Sequence, residues 1–162
     1  MKKLFLIRHA KSSWSDMSLD DFDRPLNKRG LQNAPMMAER LKAKGVMPDI
    51  ILSSPAKRAK KTAKIISDGI GFEKKIKFDD ELYEAMPSLL HSKIINIKDK
   101  HNVVFLIAHN PELNMIAEDF VDFEENIVTC GILEIEFNCD SWAKVNSKNA
   151  KFLSYDYPKK EQ

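Results

Sequence analysis

At 162 residues the chain is long enough for one domain around a single buried core and short for two. Hydrophobic residues make up 43% and charged residues 31%, an ordinary globular balance that excludes a largely disordered chain. A net charge of +2, from 26 basic and 24 acidic side chains, is too even to point to nucleic acid or an anionic membrane as partner.

The basic start Met1-Lys2-Lys3 is followed only by the short apolar run Leu4 to Ile7 before Arg8, too little for a signal peptide or a membrane helix. Lys3 to Ile7 instead reads as a strand covered on both faces. Leu31, Ala34, Met37, Ala38 and Leu41 recur at helical spacing up to Gly45. Pro35 inside that pattern predicts a kink or a late start. Asp49 to Ser53 is a second strand, and Pro55 suits the first turn of the helix after it. That helix turns Ala59, Ala63 and Ile66 inward and Lys57, Lys60, Lys61 and Lys64 outward. A short strand at Ile76 to Phe78 and a helix from Ser88 to Lys98 lead to a wholly apolar strand, Val103 to Ala108. Asn110-Pro111 reads as a cap and proline at a helix start, ahead of Leu113, Ile116, Ala117 and Phe120. Leu133, Ile135 and Phe137 then alternate with Glu134 and Glu136, predicting a strand with one wet face. Lys151 to Tyr155 is the last strand, and Pro158 to Gln162 reads as a frayed tail. Residues 1–157 are thus expected to form one α/β domain. Its predicted architecture is a three-layer α/β/α sandwich with a mainly parallel sheet and an antiparallel edge near the C-terminus.

In such sheets ligands bind beyond the carboxyl ends of the strands. The first strand ends in Arg8-His9, the second runs into Ser53-Ser54-Pro55-Ala56-Lys57-Arg58, and the apolar fourth ends in His109-Asn110-Pro111. A parallel sheet brings two arginines and two histidines to one mouth, with the loop Asp23-Arg24-Pro25-Leu26 nearby. Two guanidiniums facing one cleft repel unless an anion lies between them, and their planar forks match phosphoryl oxygens. Arg58, at a helix start, adds backbone N–H groups and the positive end of the helix dipole. A neutral imidazole attacks phosphorus well and also leaves well once phosphorylated. Repulsion from Arg8 and Arg58 is expected to lower the pKa of His9 and keep its attacking nitrogen free. Arg8, Arg58 and His109 are then placed to stabilise charge on the equatorial oxygens.

These segments resemble a known family. Leu6-Ile7-Arg8-His9 is similar to the RH motif of the histidine phosphatase superfamily, the phosphoglycerate-mutase-like fold. Ser53-Ser54-Pro55 through Arg58-Ala59 and Thr62-Ala63 resembles its second-arginine segment, and Ile107-Ala108-His109-Asn110-Pro111 its second histidine. Arg8 through Trp14 and Asp23-Arg24-Pro25-Leu26 resemble the small SixA-type phosphohistidine phosphatase branch. The resemblance implies that His9 accepts the phosphoryl group, that water hydrolyses the phosphohistidine, and that Arg8, Arg58 and His109 form the phosphate pocket. It also places Ser15 where many relatives have a pocket asparagine. Larger relatives carry a glutamate proton donor on a cap inserted after the third strand; here only Glu81-Leu82-Tyr83-Glu84 stands there, which makes Glu84 the candidate acid or else a solvated carboxylate. A phosphoramidate needs little acid help, and an uncapped, shallow pocket suits a phosphoprotein.

The expected partner is therefore a phosphorylated protein, such as a histidine phosphotransfer domain, or else a small phosphorylated metabolite, with no cofactor, nucleic acid or membrane. A mutase needs a roomier capped site. A non-catalytic phosphate-binding module is the reading from another class. His9 and His109 as metal ligands would need a third donor such as Asp20, Asp21 or Asp23, and two arginines oppose a cation there. His91 and His101 carry no motif and read as surface residues, and the Lys57–Lys64 face reads as solvated or as a docking surface for an acidic protein. Cys130 and Cys139 read as buried or half-buried thiols in a reducing compartment, which with the absent leader makes the cytoplasm the expected location.

Overall fold

The apolar run at the N-terminus forms strand β1 (Lys2–Arg8), and its alternate side chains feed two separate cores. The structure, a computed structural model, describes residues 1–161. In chain order the remaining elements are α1 (Lys28–Ala43), β2 (Ile50–Ser53), α2 (Lys57–Ile70), β3 (Lys77–Phe78), α3 (Pro87–Ile95), β4 (Val103–Ala108), α4 (Glu112–Val121), β5 (Ile132–Phe137) and β6 (Ala150–Asp156). Short 3-10 turns occupy Asp21–Asp23, Asp80–Leu82 and Trp142–Lys144.

The six strands form one sheet in the order β3-β2-β4-β1-β5-β6. β1, β2, β3 and β4 run parallel to their neighbours, whereas β5 pairs antiparallel with β1 and β6. Phe5 and Ile7 pack with Ala34, Met37 and Ala38 of α1 and Ala59, Ala63 and Ile66 of α2. Leu4 and Leu6 pack on the other side with Leu90 and Ile94 of α3 and Leu113, Ile116 and Phe120 of α4. The architecture is thus the expected three-layer sandwich. Among the described residues no helix is long and apolar enough to cross a membrane.

Several local expectations are corrected. α1 neither starts late nor breaks at Pro35: Asn27 Oδ1 accepts from Gly30 N at 2.9 Å and caps it, and the proline sits on an exposed face where water can serve the freed carbonyl. Leu31, counted in the apolar stripe, is 47% exposed. Pro55 lies outside its helix, which begins at Lys57 after Ala56. Pro111 holds the cap position of α4, but Asn110 does the capping, its Oδ1 accepting from Asn114 N at 3.0 Å. The wet face of β5 is dry at Glu134, which is only 7% exposed under ion pairs from Lys3 and Lys44. His91 and His101 are half-buried, the first with its ring 5.8 Å from that of Phe120. In the expected tail, Pro158 O accepts from Arg40 and Lys160 Nζ donates to Tyr155 O, while Gln162 lies outside the described residues.

Candidate active site

Strand register decides which side chains meet. Arg8 pairs with Ala108 across β1 and β4, so His9 and His109 leave neighbouring strands at the same level. Their ring centroids are 5.1 Å apart. Ser53 pairs with Ile107, which puts Ser54 one step further along, and its hydroxyl lies 2.8 Å from His109 Nε2. Arg58 reaches the same point from the first turn of α2, with Nε 3.4 Å from His9 Nε2. Arg8, His9, Arg58 and His109 all line one cavity of about 300 Å³.

The backbone around His9 is held from two directions. Cys130 N donates to both Arg8 O and His9 O at 3.0 Å, from a residue in the left-handed conformation (φ 62°). On the other side Ala10 N donates to Thr62 Oγ1 at 2.9 Å, and that hydroxyl donates to Arg58 O at 2.7 Å. Thr62 therefore ties the strand end carrying His9 to the helix turn carrying Arg58. α1 docks here too: Gly30 packs so tightly on Lys11 that an added Cβ would stand 2.2 Å from Lys11 O.

The ring of His9 has a defined tautomer. Nδ1 lies 2.7 Å from Ala10 O, and a carbonyl can only accept, so Nδ1 carries the proton and Nε2 keeps its lone pair. Burial first, then Arg58, Arg8 and Arg24, push its pKa down to about 4, against a raising effect from the Ala10 carbonyl. The cause differs in weight from the sequence expectation: desolvation leads and arginine repulsion follows. His109 is lowered further, to about 3, by burial and then by His9 and Arg58. Both rings are neutral at pH 7. Two polar atoms of these residues have no protein partner, Arg8 Nε, a donor, and His109 Nδ1, and both are buried. Buried polar atoms are almost always satisfied, so these two call for a ligand.

Arg24 is the residue the sequence reading passed over. The sequence puts it only in a nearby loop, yet it is buried and lines the cavity as a third guanidinium. Its Nε donates to Ser13 O at 3.1 Å, its Nη2 donates to Ser12 Oγ, and its guanidinium lies 3.2 Å from the centre of the exposed Trp14 ring. Asp21 links the cations: Oδ1 accepts from Arg24 and Oδ2 from Arg58, each at 3.0 Å. Tyr83 donates to the same Oδ2 at 2.6 Å, and its ring stands edge-on 5.7 Å from that of His109. The signal for Arg24 in the sequence was its place before Pro25-Leu26; nothing local marks Asp21 among Asp20, Asp21 and Asp23.

Two expected residues lie elsewhere. Ser15 is exposed, hydrogen-bonded to Ser13 and absent from the cavity lining, because its loop turns outward. Glu84 is exposed, makes no hydrogen bond among the described residues and does not line the cavity, though its backbone is left-handed (φ 55°). Glu112 is a buried carboxyl whose pKa is pushed up by desolvation, but it too lies outside the lining. Among the described residues, no three His, Cys, Asp or Glu side chains come together as a metal site, so the alternative set of His9, His109 and an aspartate does not assemble.

A neutral imidazole with one unprotonated nitrogen, beside three guanidiniums at the carboxyl-end edge of the parallel strands, defines a phosphoryl-binding α/β enzyme site. The chain belongs to the histidine phosphatase superfamily (branch 1), whose profile matches residues 4–130. It is 32% identical over 150 residues to an uncharacterised chloroplastic protein of Arabidopsis thaliana, covering 87% of this chain and 69% of that one. It is 38% identical over 133 residues to a protein of Hydrogenobacter thermophilus named for phosphoserine phosphatase activity, covering 78% of this chain and 64% of that one. Its fold matches that of the protein histidine phosphatase SixA complexed with tungstate, with a TM-score of 0.81, 20% identity and coverage of 96% and 97% of the two chains.

Proposed function

We propose that the protein is a metal-independent phosphatase working through phospho-His9, with phosphohistidine in proteins as its substrate class. The observation that carries the chemistry is the unprotonated Nε2 of His9, set by the Nδ1–Ala10 bond and accepting only a long hydrogen bond from Arg58 Nε at 3.4 Å. The Nε2 lone pair attacks phosphorus, and the bond to the leaving group breaks with its electron pair. The leaving atom takes up a proton from solvent water, and the phosphoryl group is on His9. A water oxygen then attacks the same phosphorus, the P–Nε2 bond breaks, and the imidazole regains its lone pair as inorganic phosphate leaves with the water's oxygen. In each transition state the equatorial oxygens accept from the guanidinium groups of Arg8 and Arg58, with the His109 ring lining the same cavity. Losing one such donor costs about 10²–10³ in rate.

The substrate class is supported by what surrounds the cavity. Residues 79–86 between β3 and α3 hold a 3-10 turn and no cap. Trp14 at the rim is 71% exposed, and Phe22 packs against Tyr83 beside His109. An open mouth with an exposed aromatic ring at its edge fits a protein surface better than a small polar metabolite. A P–N leaving group also needs little help from an acid, in keeping with Glu84 outside the lining.

Mass spectrometry under neutral conditions, after brief reaction with a phosphohistidine protein, is expected to find phosphate on His9. Turnover by the His9→Ala protein at the wild-type rate would sink the reading. The likeness to a protein named for phosphoserine phosphatase activity favours a second reading, a small phosphomonoester substrate, which a higher kcat/KM on phosphoserine than on phosphohistidine would establish. Phosphate binding without turnover of either would leave a binding module.

A further inference from the structure

Helix α2 sends Arg58 into the cavity and turns a different face to solvent. Lys57, Lys60, Lys61 and Lys64 stand at i, i+3, i+4 and i+7, so they form one stripe, and all are exposed. Together with Pro25, Leu26 and Leu31 they line a groove of about 430 Å³. No carboxylate belongs to that lining, and none of the four lysines makes an ion pair among the described residues. Like charges at helical i,i+4 spacing destabilise a helix, by about 0.2–0.5 kcal/mol per pair, and the stripe is relieved only at Lys60, whose Nζ lies 5.3 Å from the centre of the Phe78 ring.

The groove shares no lining residue with the phosphate cavity but is built from the residues next to it in sequence. Pro25 follows Arg24 and Lys57 precedes Arg58, and both arginines line the cavity and share Asp21. At 1.5 Å per residue the stripe extends about 10 Å along the helix. That is close to the Debye length of about 8 Å at physiological ionic strength, so its field reaches a partner approaching the mouth. The floor supplies the other half of the surface, with Leu31 47% exposed where the rest of its helix stripe is buried.

We infer that this groove docks the phosphoprotein substrate through an acidic surface, its carboxylates facing the four lysines and an apolar side chain lying on Leu26 and Leu31. The inference rests on the phosphoprotein reading above and names the chemistry of the partner. Because none of these lysines lines the cavity, docking acts on encounter and binding and leaves the chemical step alone.

The test uses two helical phosphohistidine peptides, identical except for four glutamates or four lysines at i, i+3, i+4 and i+7. The wild-type protein is expected to turn over the acidic peptide with kcat/KM about tenfold higher at low salt, the gap closing near 0.5 M salt. The Lys60→Glu/Lys61→Glu/Lys64→Glu protein is expected to prefer the basic peptide, while its kcat on phosphoramidate stays within about twofold of wild type, which also shows that it is folded and competent. Equal turnover of both peptides by wild type overturns the docking inference alone. So does a loss in the variant that is the same for phosphoramidate, or a stripe that binds duplex DNA or phosphatidylserine vesicles without any peptide preference. Hydrolysis of phosphoramidate but of neither peptide overturns the phosphoprotein reading, and the docking inference with it.

Discussion

Asp21 Oδ2 accepts from Arg58 Nη2 at 3.0 Å, on the same guanidinium whose Nε faces His9 Nε2. The loop after β1 thus lays a carboxylate on the cation that a phosphoryl group needs. Burial raises the pKa of Asp21, but hydrogen bonds from Tyr83, Arg24 and Arg58 outweigh it and hold the carboxyl at about 2. It is ionised at every working pH, and it competes with or repels an incoming phosphate. In the Asp21→Asn protein, inorganic phosphate and vanadate are expected to inhibit about three- to tenfold more tightly, read as a lower inhibition constant. An unchanged or weaker inhibition would show that Asp21 only orients Arg58.

The two histidines set a pH dependence of activity and of stability. The pKa of His9 is lowered to about 4 and that of His109 to about 3, so both remain neutral in the fold where an unfolded imidazole, near 6.5, would already be charged. Between these limits the unfolded chain binds more protons, so stability is fully present above about 6.5 and falls as the pH drops toward 4. The acid limb of kcat/KM is accordingly expected with a midpoint near that of His9, about 4, and a midpoint near 6.5 would contradict the buried tautomer. Urea titrations at pH 7 and pH 5 should show the loss in wild type and a smaller one in His109→Gln.

Thr62 is a positioning residue. Removing its hydroxyl in Thr62→Val leaves the Ala10 N–H without its partner, at a cost of about 1–3 kcal/mol. It also frees His9 from Arg58, so kcat is expected to fall about tenfold with KM little changed. Thr62→Ser keeps the oxygen and should restore most of the rate, which a purely structural loss would not separate from stability.

Gly30 carries a different constraint. Alanine would favour a helix interior by about 1 kcal/mol, but here its Cβ would meet the backbone oxygen of Lys11 at 2.2 Å. The clash is expected to win and destabilise by about 1–3 kcal/mol, read as a lower Tm. Because Lys11 adjoins Ala10 and lines the cavity, activity should fall as well.

The chain order of strands and helices was legible because each element carries its own apolar pattern: periodic burial in α2, and continuous apolar runs buried on both faces in β1 and β4. The placement of Arg8, His9, Arg58 and His109 was legible for a related reason: parallel strands end together, so residues just past strand ends must meet. The positions of Ser15 and Glu84 were not legible because both lie in loops, where no period says which way a side chain points, and the exposed Glu84 fits the solvated-carboxylate alternative. The alternation in β5 reads polarity rather than exposure, and Lys3 with Lys44 makes Glu134 both charged and buried.

By itself, then, the sequence determined the layered α/β fold and the meeting of two histidines and two arginines at one sheet edge. The tertiary structure decided the rest: that His9 is neutral chiefly through desolvation, that Arg24 joins the cavity, and that Asp21 lies across Arg24 and Arg58. Apolar periodicity is a local property, carried by residues three or four apart. Desolvation, ion pairing and the path of a loop arise only when distant segments close on one another.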